Sequence, residues 1–451
     1  MLRSFLCLFG AFSLAAGTDS AFSQGPIWRT LPNAPIANYP GRQDDVFFIN
    51  PSVGWVLNNN ITWGPFNSEI WKTTDGGVTW TLQFSGDQYL RSVGFANSLT
   101  GWVGTVYPDT IQVLYQTTNG GITWSVVQNI SEPRPRGICG ISVVNDSLIY
   151  ASGRYNGPAR VIKTTDRGTS WISMDLSAHA GALVDCYFFS PDSGFVVGSS
   201  GPAGYARVLF TSDGGNTWTV RYEGDRKGEI CWKIQFRTKK IGYVSIQNFS
   251  EGPTYYLKST DGGITWNDQL FRDSALVGSN GVQGIGFVSD SLGWLGGWID
   301  DVYETTDAGT SWHSAGFSEG NAAIINRFRI LGDTLAYAVG NRVHKYSIDG
   351  SATWVQEDHQ AEIPRYFSLS QNYPNPFNPT TRINFVSPLT SHVSLKIYNI
   401  LGQEVATLVN DEMKTGSYEV TWDASGFPSG VYFYWLTAGA FAETRKLMLM
   451  R

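Results

Sequence analysis

Seven charged residues, Asp44, Asp45, Arg91, Arg136, Asp185, Lys233 and Arg327, are of the types that acid–base and anion-binding chemistry uses. Four share one register: Asp45, Asp185, Lys233 and Arg327 each lie three residues before a recurring large apolar residue, Phe48, Phe188, Phe236 or Ile330. Two carboxylates brought together are the raw material of glycoside hydrolysis, one protonating the leaving oxygen and the other acting as base or nucleophile. Asp45 and Asp185 are the candidate catalytic pair on that view, with Asp44, Arg91, Arg136, Lys233 and Arg327 as channel-binding candidates. Both signs of charge share this position, however, and if it faces a central channel, mutual neutralisation in a wet channel explains it at lower cost. Neutralisation is the preferred reading. The histidines, His179, His313, His344, His359 and His392, form no metal-spaced cluster, and the chain has no Gly-rich phosphate loop or Gly-x-Ser-x-Gly turn. No metal and no cofactor is expected.

A common register requires a repeated element, and the chain repeats itself. Seven segments share one pattern, from Thr73-Thr-Asp-Gly-Gly-Val-Thr-Trp80 to Ser347-Ile-Asp-Gly-Ser-Ala-Thr-Trp354. Their third residues, Asp75, Asn119, Asp166, Asp213, Asp261, Asp307 and Asp349, are 44, 47, 47, 48, 46 and 42 residues apart. Upstream of each runs a pair of large residues seven apart: Phe48/Trp55, Phe95/Trp102, Val143/Tyr150, Phe188/Phe195, Phe236/Tyr243, Phe287/Trp294 and Ile330/Tyr337. Each repeat reads as strand, turn, strand, variable loop, strand, box, strand. A period near 45 is one four-stranded blade, so residues 25–357 are predicted to form a seven-bladed β-propeller. Ile27-Trp28-Arg29 resembles the last strand of a blade and is expected to complete or extend the seventh. Composition agrees: 50 glycines, 14% aromatics and only 16% charged residues in 451 favour short strands and tight turns over helices.

Within the box, Asp-Gly is a turn signal, because the turn needs residues tolerant of positive φ and a carboxylate that can bond nearby amides. The tryptophan that follows has the area to cover the hairpin. A calcium site is the sharper alternative, but each box brings one acid, Asn119 replaces one of them, and a hard cation needs roughly six to eight oxygens. The boxes are therefore taken as structural.

The pattern Ser/Thr-x-Asp-x-Gly-x-Thr/Ser-Trp resembles the Asp-box, or BNR repeat, of sialidases, sortilin-type receptors and xyloglucan-degrading enzymes. With its Gly101-Trp-Val-Gly104 strand ahead of the box, the longer unit is most similar to the photosystem II assembly-factor type of propeller. The seventh copy departs at Ser351 and Ala336, and the third at Ile149. In these families the box lies on the outer rim as a folding element. A sialidase would add an arginine cluster and an activated tyrosine, and no sialidase-like Arg-Ile-Pro segment precedes the first box.

The ends of the chain state where it goes. Arg3, the apolar stretch Phe5 to Ala16 and Ala21-Phe22-Ser23 read as a cleavable secretory signal over residues 1–23. The apolar run is too short to span a bilayer, and no transmembrane segment is expected. Cys139, Cys186 and Cys231 then remain, an odd number without disulfide or zinc spacing, and are read as small buried hydrophobes. After a linker at residues 358–366, residues 367–451 alternate as strands of a small β-sandwich, so the fold class is all-β throughout. This segment closely resembles the type A sorting domain of type IX secretion. The motifs are Asn372-Tyr-Pro-Asn-Pro-Phe-Asn-Pro-Thr-Thr381, Tyr398-Asn-Ile-Leu-Gly-Gln-Glu-Val405, Ser429-Gly-Val-Tyr-Phe-Tyr434 and Arg445-Lys-Leu-Met448. The resemblance implies passage through Sec to the periplasm and then outward through the type IX machinery, with this domain as the address.

A net charge of −6 argues against nucleic acid. The aromatic and Gly-rich segments Ile61 to Phe66, Gly198 to Tyr205 and Phe249 to Tyr255 are candidate contacts for an extracellular protein or glycan. The preferred function is a secreted or surface-held binding or adhesion scaffold. The alternative is an extracellular glycoside hydrolase of sialidase-like or xyloglucanase-like type, or a glycan-binding propeller.

Overall fold

Each pair of large residues seven apart frames a hairpin. Phe48 ends the strand Arg42–Phe48, Trp55 begins the body of Gly54–Asn60, and Phe48 stands directly across from Gly54. The same partnership recurs as Phe95 with Gly101, Phe188 with Gly194, Phe236 with Gly242 and Phe287 with Gly293. Glycine is required because the phenyl ring lies over its Cα: a Cβ on Gly54 would stand 2.5 Å from the Phe48 ring, and one on Gly242 would stand 2.6 Å from Phe236. Where glycine is replaced, the ring is gone too. Ile149 faces Val143, and Ala336 faces Ile330. The departures of the third and seventh repeats are thus compensated exchanges between facing residues.

The computed structural model describes residues 27–348, apart from 38–40, 61–65, 109–111, 202–203, 250–251, 274–279, 299–300 and 318–323. It also describes residues 368–450, apart from 370–371, 373, 388, 415 and 440. The signal sequence, the linker at 358–366 and the seventh box residue, Asp349, lie outside the described residues. Contacts divide the chain into two units, residues 1–354 and 355–451.

Among the described residues, the first unit consists of five four-stranded sheets and one of eight strands, all antiparallel between neighbours. The eight-stranded sheet is two meanders joined where Gln247 and Asn248 pair with Gly281 and Asn280. The inner strands are Arg42–Phe48, Tyr89–Phe95, Gly140–Val143, Ala182–Phe188, Glu229–Phe236, Asn280–Phe287 and Arg327–Leu331. Each packs on the next, and the last packs on the first, so they close a ring. The large residues stitch the seams. Trp55 stacks on Phe95 of the next sheet at 3.5 Å, Tyr150 on Phe188 at 3.5 Å, Tyr243 on Phe287 at 3.7 Å and Tyr337 on Phe48 at 3.6 Å. Each such pair contributes about 0.5–1.5 kcal/mol beyond the area it buries. Ile27–Thr30 pairs antiparallel with Val343–Ser347, Thr30 opposite His344, so the N-terminal strand enters the sheet of the last inner strand as its outermost member.

In the second unit a three-stranded sheet of Ser368–Leu369, Thr380–Ser387 and Gly416–Asp423 shares a core with a four-stranded sheet. The latter is built from Ser391–Asn399, Glu404–Met413, Gly430–Ala438 and Phe441–Leu449. Ile383 and Phe385 of one sheet and Val393, Leu395, Ile397 and Tyr434 of the other enter that core. The proline-rich motif brackets it. Asn372 Nδ2 donates to Thr381 Oγ1 at 2.9 Å, and the Phe377 and Met450 amides donate to Met448 and Phe377 carbonyls at 2.9 and 3.0 Å. Among the described residues no helix is long and apolar enough to cross a membrane. Cys139, Cys186 and Cys231 are buried and unbridged, and burial pushes all three thiols upward in pKa.

Candidate functional site

Five inner strands lose register at one level, three or four residues before the first large residue. Pairing skips between Gln43 and Val46, Leu90 and Ser92, Leu183 and Asp185, Cys231 and Ile234, and Val282 and Gly284. A bulge leaves a residue unpaired and re-aims its side chain. The residues so released are Asp44 and Asp45, Arg91, Val184, Trp232 and Lys233, and Gln283. Most of the charges singled out from the sequence therefore collect on the inside of the ring.

They sort into two networks. Arg327 donates through Nε to Asp45 Oδ1 at 2.9 Å and through Nη1 and Nη2 to Asp185 at 2.9 and 3.2 Å. Backbone amides take the remaining carboxylate positions: Val46 and Val93 donate to Asp45 at 3.0 Å each, and Ile234 donates to Asp185 at 3.2 Å. Burial alone would disfavour the Arg327 charge, but the carboxylates of Asp185 and Asp45 more than compensate and hold its pKa above the usual arginine value. In the second network Asp44 accepts from Arg42 at 2.8 Å, Asn326 at 2.9 Å, Asn59 at 3.1 Å and Arg91. Acids and bases pair, two carboxylates to one guanidinium in the first network and one carboxylate to two in the second. The setting differs from the wet channel expected: Asp44, Asp45, Arg91, Asp185 and Lys233 are all buried.

This geometry constrains the chemistry. A general acid or base must face its substrate with a free oxygen. Asp45 and Asp185 instead spend theirs on one shared guanidinium and on amides of neighbouring strands, tying together the first, second, fourth, fifth and seventh inner strands. Lys233 stands apart from both networks. Its Nζ is buried with no acceptor among the described residues, and burial, reinforced by the positive charge of Arg327, lowers its pKa to about 8. Arg136 does not join the ring. The third inner strand begins only at Gly140, and Arg136 is exposed in the loop that carries Pro133 and Pro135. Arg42, Asn326 and Trp232 were missed in the sequence. Arg42 carried a usable signal, since it lies two residues before Asp44 on the same strand and period 2 puts both on one face.

The boxes are self-contained. Asp213 accepts from Thr211 Oγ1 at 2.9 Å, the Thr217 amide at 2.9 Å and Thr217 Oγ1 at 2.6 Å, while the Gly215 amide donates back to Thr211 Oγ1 at 2.9 Å. Asn119 reproduces the pattern, its Oδ1 accepting the Thr123 amide at 2.9 Å and its Nδ2 donating to Thr123 Oγ1 at 2.9 Å. Hydroxyl and amide donors hold Asp166, Asp213, Asp261 and Asp307 down to a pKa of about 2. A lysine of the preceding sheet caps the turn in several repeats, as Lys72 Nζ donates to the Gly120 carbonyl at 2.9 Å. Among the described residues no three His, Cys, Asp or Glu side chains come close enough to hold a metal ion.

The ring has a cavity at each end. At the end formed by the finishing residues of the inner strands lies a funnel of about 680 Å³, with Asp45, Asp185 and Arg327 among its lining residues. The other end is formed by the starts of inner strands and the finishes of the second strands. It holds a cup of about 370 Å³ walled by Phe66, Tyr107, Tyr155, Trp232, Phe249 and Trp298 over Arg42 and Arg91. Phe66 and Phe249 come from two of the three loop segments named from the sequence. Residues 61–65 and 250–251 of those segments, and 202–203 of the remaining one, lie outside the described residues.

Comparison with known proteins agrees with this architecture. Residues 163–326 match the family described as Photosynthesis system II assembly factor YCF48, and residues 371–450 match the Secretion system C-terminal sorting domain. YCF48 from Cyanidioschyzon merolae is 18% identical with a TM-score of 0.53, over 71% of this chain and 98% of that one. YCF48 bound to D1 peptide is 16% identical with a TM-score of 0.51, over 72% and 97%. PorZ, a surface component of the type IX secretion system of Porphyromonas gingivalis, aligns at 15% identity and a TM-score of 0.48, over 90% and 59%. No curated protein matches the sequence. The chain is thus all-β, joining a propeller-like ring similar to the YCF48 type of BNR-repeat protein to a secretion-system C-terminal sorting domain.

Proposed function

We propose that this protein is a secreted or surface-held seven-bladed β-propeller that binds an extracellular protein through the loop-bearing end of its ring. On this reading residues 1–23 are a signal removed on export, 25–357 the propeller, 358–366 a linker and 367–451 a sorting β-sandwich. The route runs through Sec and the periplasm and out through the type IX machinery, which reads the C-terminal domain. The observation that carries the binding role is the aromatic cup, where Phe66 and Phe249 of two variable loops converge over two arginines. Large aromatic and arginine side chains dominate binding energy at protein contacts. A protein of the same fold has been captured with a peptide bound, which supports the reading as fold analogy alone. The glycosidase alternative is not preferred, because Asp45 and Asp185 are both engaged by Arg327.

Export is tested by deleting from Tyr366 onward in a type IX-competent cell. The truncated protein is expected to stay inside the outer membrane, and its appearance outside would refute the sorting role. The binding role is tested by affinity capture of envelope proteins on the mature chain, with Phe249→Ala as the control. A glycosidase screen repeated after Asp45→Asn and Asp185→Asn should find no turnover that these changes abolish.

A further inference from the structure

The floor of the aromatic cup carries more positive charge than its surroundings neutralise. Among the described residues no acid lines the cup, and Asp44, bound to both Arg42 and Arg91, is the carboxylate they share. Arg42 has other partners, donating to Gln283 Oε1 at 2.9 Å and to the Tyr89 hydroxyl at 3.3 Å. Arg91 differs: it is 1% exposed, with its guanidinium 5.0 Å from the Trp232 ring centroid, and its Nε and Nη2 reach no acceptor among the described residues. Lys233 follows Trp232 in the same bulge, is also 1% exposed, and its Nζ reaches none either. Buried charged donors are costly to leave without an acceptor; Lys233 is not among the cup's lining residues, but Arg91 is, and its free donors point to a ligand that brings an acceptor.

We propose that the cup binds a carboxylate borne on an apolar body, the carboxylate received by Arg91 and the body packed among Trp232, Tyr107 and Phe249. The guanidinium fork matches a carboxylate in shape and charge. The walls supply aromatic area and little hydrogen bonding, since the Tyr107 and Tyr155 hydroxyls bond each other at 2.6 Å. That favours an apolar body over a sugar, whose hydroxyls would need partners. A volume of about 370 Å³ suits a small ligand or the last residue or two of a peptide. The site rests on the reading of this end of the ring as the contact face.

Isothermal titration calorimetry on the mature chain tests it with three probes: a hexapeptide ending in a free-acid phenylalanine, the same peptide amidated, and 3-phenylpropionate. The free acid should bind at least tenfold more tightly than the amide. Binding of 3-phenylpropionate alone would assign the site to a free organic acid, and binding of the peptide alone to a chain terminus; either result supports the carboxylate site. Arg91→Met should weaken binding tenfold or more. Phe249→Ala, at a position 61% exposed, should weaken it while leaving the thermal midpoint unchanged. Equal affinity for acid and amide, no binding of either acid, or indifference to Phe249→Ala would overturn the proposal. A chain that still captures an envelope protein while ignoring both acids would overturn the carboxylate site and leave the binding role standing.

Discussion

Gly54→Ala adds one methyl group where the fold has no room for it. The new Cβ would stand 2.5 Å from three atoms of the Phe48 ring, so the ring must move. It is fully buried and stacked at 3.6 Å on Tyr337, with Trp80 edge-on at 6.4 Å, so movement breaks the seam between the first sheet and the last. The backbone at Gly54 has no positive φ, which leaves the clash as the whole effect. Overpacking of this kind costs about 1–3 kcal/mol. Phe48→Val should cost about 2–3 kcal/mol by lost burial and a lost aromatic pair. Independent effects would sum to about 3–6 kcal/mol in the double variant. The third sheet holds the alternative pair, Val143 facing Ile149, so valine at position 48 removes the clash and the double variant should cost no more than Phe48→Val alone. The predicted coupling is about 1–3 kcal/mol, read from urea unfolding of the four chains by tryptophan fluorescence. Additivity within about 0.5 kcal/mol would refute the facing-pair explanation.

Three further outcomes follow from the charged and polar groups. His344 lies at the ring seam, its Nδ1 3.0 Å from Thr30 Oγ1, and burial, with Arg342 nearby, lowers its pKa to about 4. The unfolded imidazole protonates near 6.5, so this stability is present above that pH and is lost as pH falls toward 4. The loss is up to about 3 kcal/mol. His344→Gln should flatten urea midpoints measured between pH 7 and 4.5, and an unchanged slope would exclude the seam as the acid-sensitive element. Arg327→Met strands Asp45 and Asp185 as buried charges and should cost about 3–5 kcal/mol in thermal unfolding, whereas a neutral result would mean the carboxylates find other partners. Asp261→Asn should lower the thermal midpoint less than Asp261→Ala, because Asn119 keeps the same turn intact with an amide. Thr265 holds the Asp261 carboxyl at about 2, so its ionised contribution is full above pH 3.8 and disappears as pH falls through 2. Equal midpoints for the two variants would contradict the role given to Oδ1.

The parts of this fold legible in the sequence are those written in local spacing. Phe48 and Trp55, seven apart, announce a hairpin because strand, turn and strand are contiguous, and the box announces its turn for the same reason. The third and seventh repeats were legible as departures, but not as compensated ones, since that requires knowing that residue 143 faces residue 149. The charges were found at the right register and their pairing was not. Arg327 reaches Asp185 across 142 residues and Asp45 across 282, and only closure of the ring brings them together. The bulges are invisible in the sequence because these strands are buried on both faces and show no strict alternation for an inserted residue to interrupt. Arg136 was misassigned for a related reason: counting back from Val143 assumes a full-length strand, and the third inner strand spans only Gly140–Val143.

On the proposed function, the loop-bearing end of an exported ring holds a protein partner and performs no hydrolysis. The most direct measurement immobilises the mature chain and its Phe249→Ala variant, passes envelope extract over both, and runs the same two proteins on a glycan array. The expected result is an envelope protein retained by the parent chain and lost from the variant, with no glycan retained by either. Retention of a glycan without any protein, unaffected by Phe249→Ala, would contradict it.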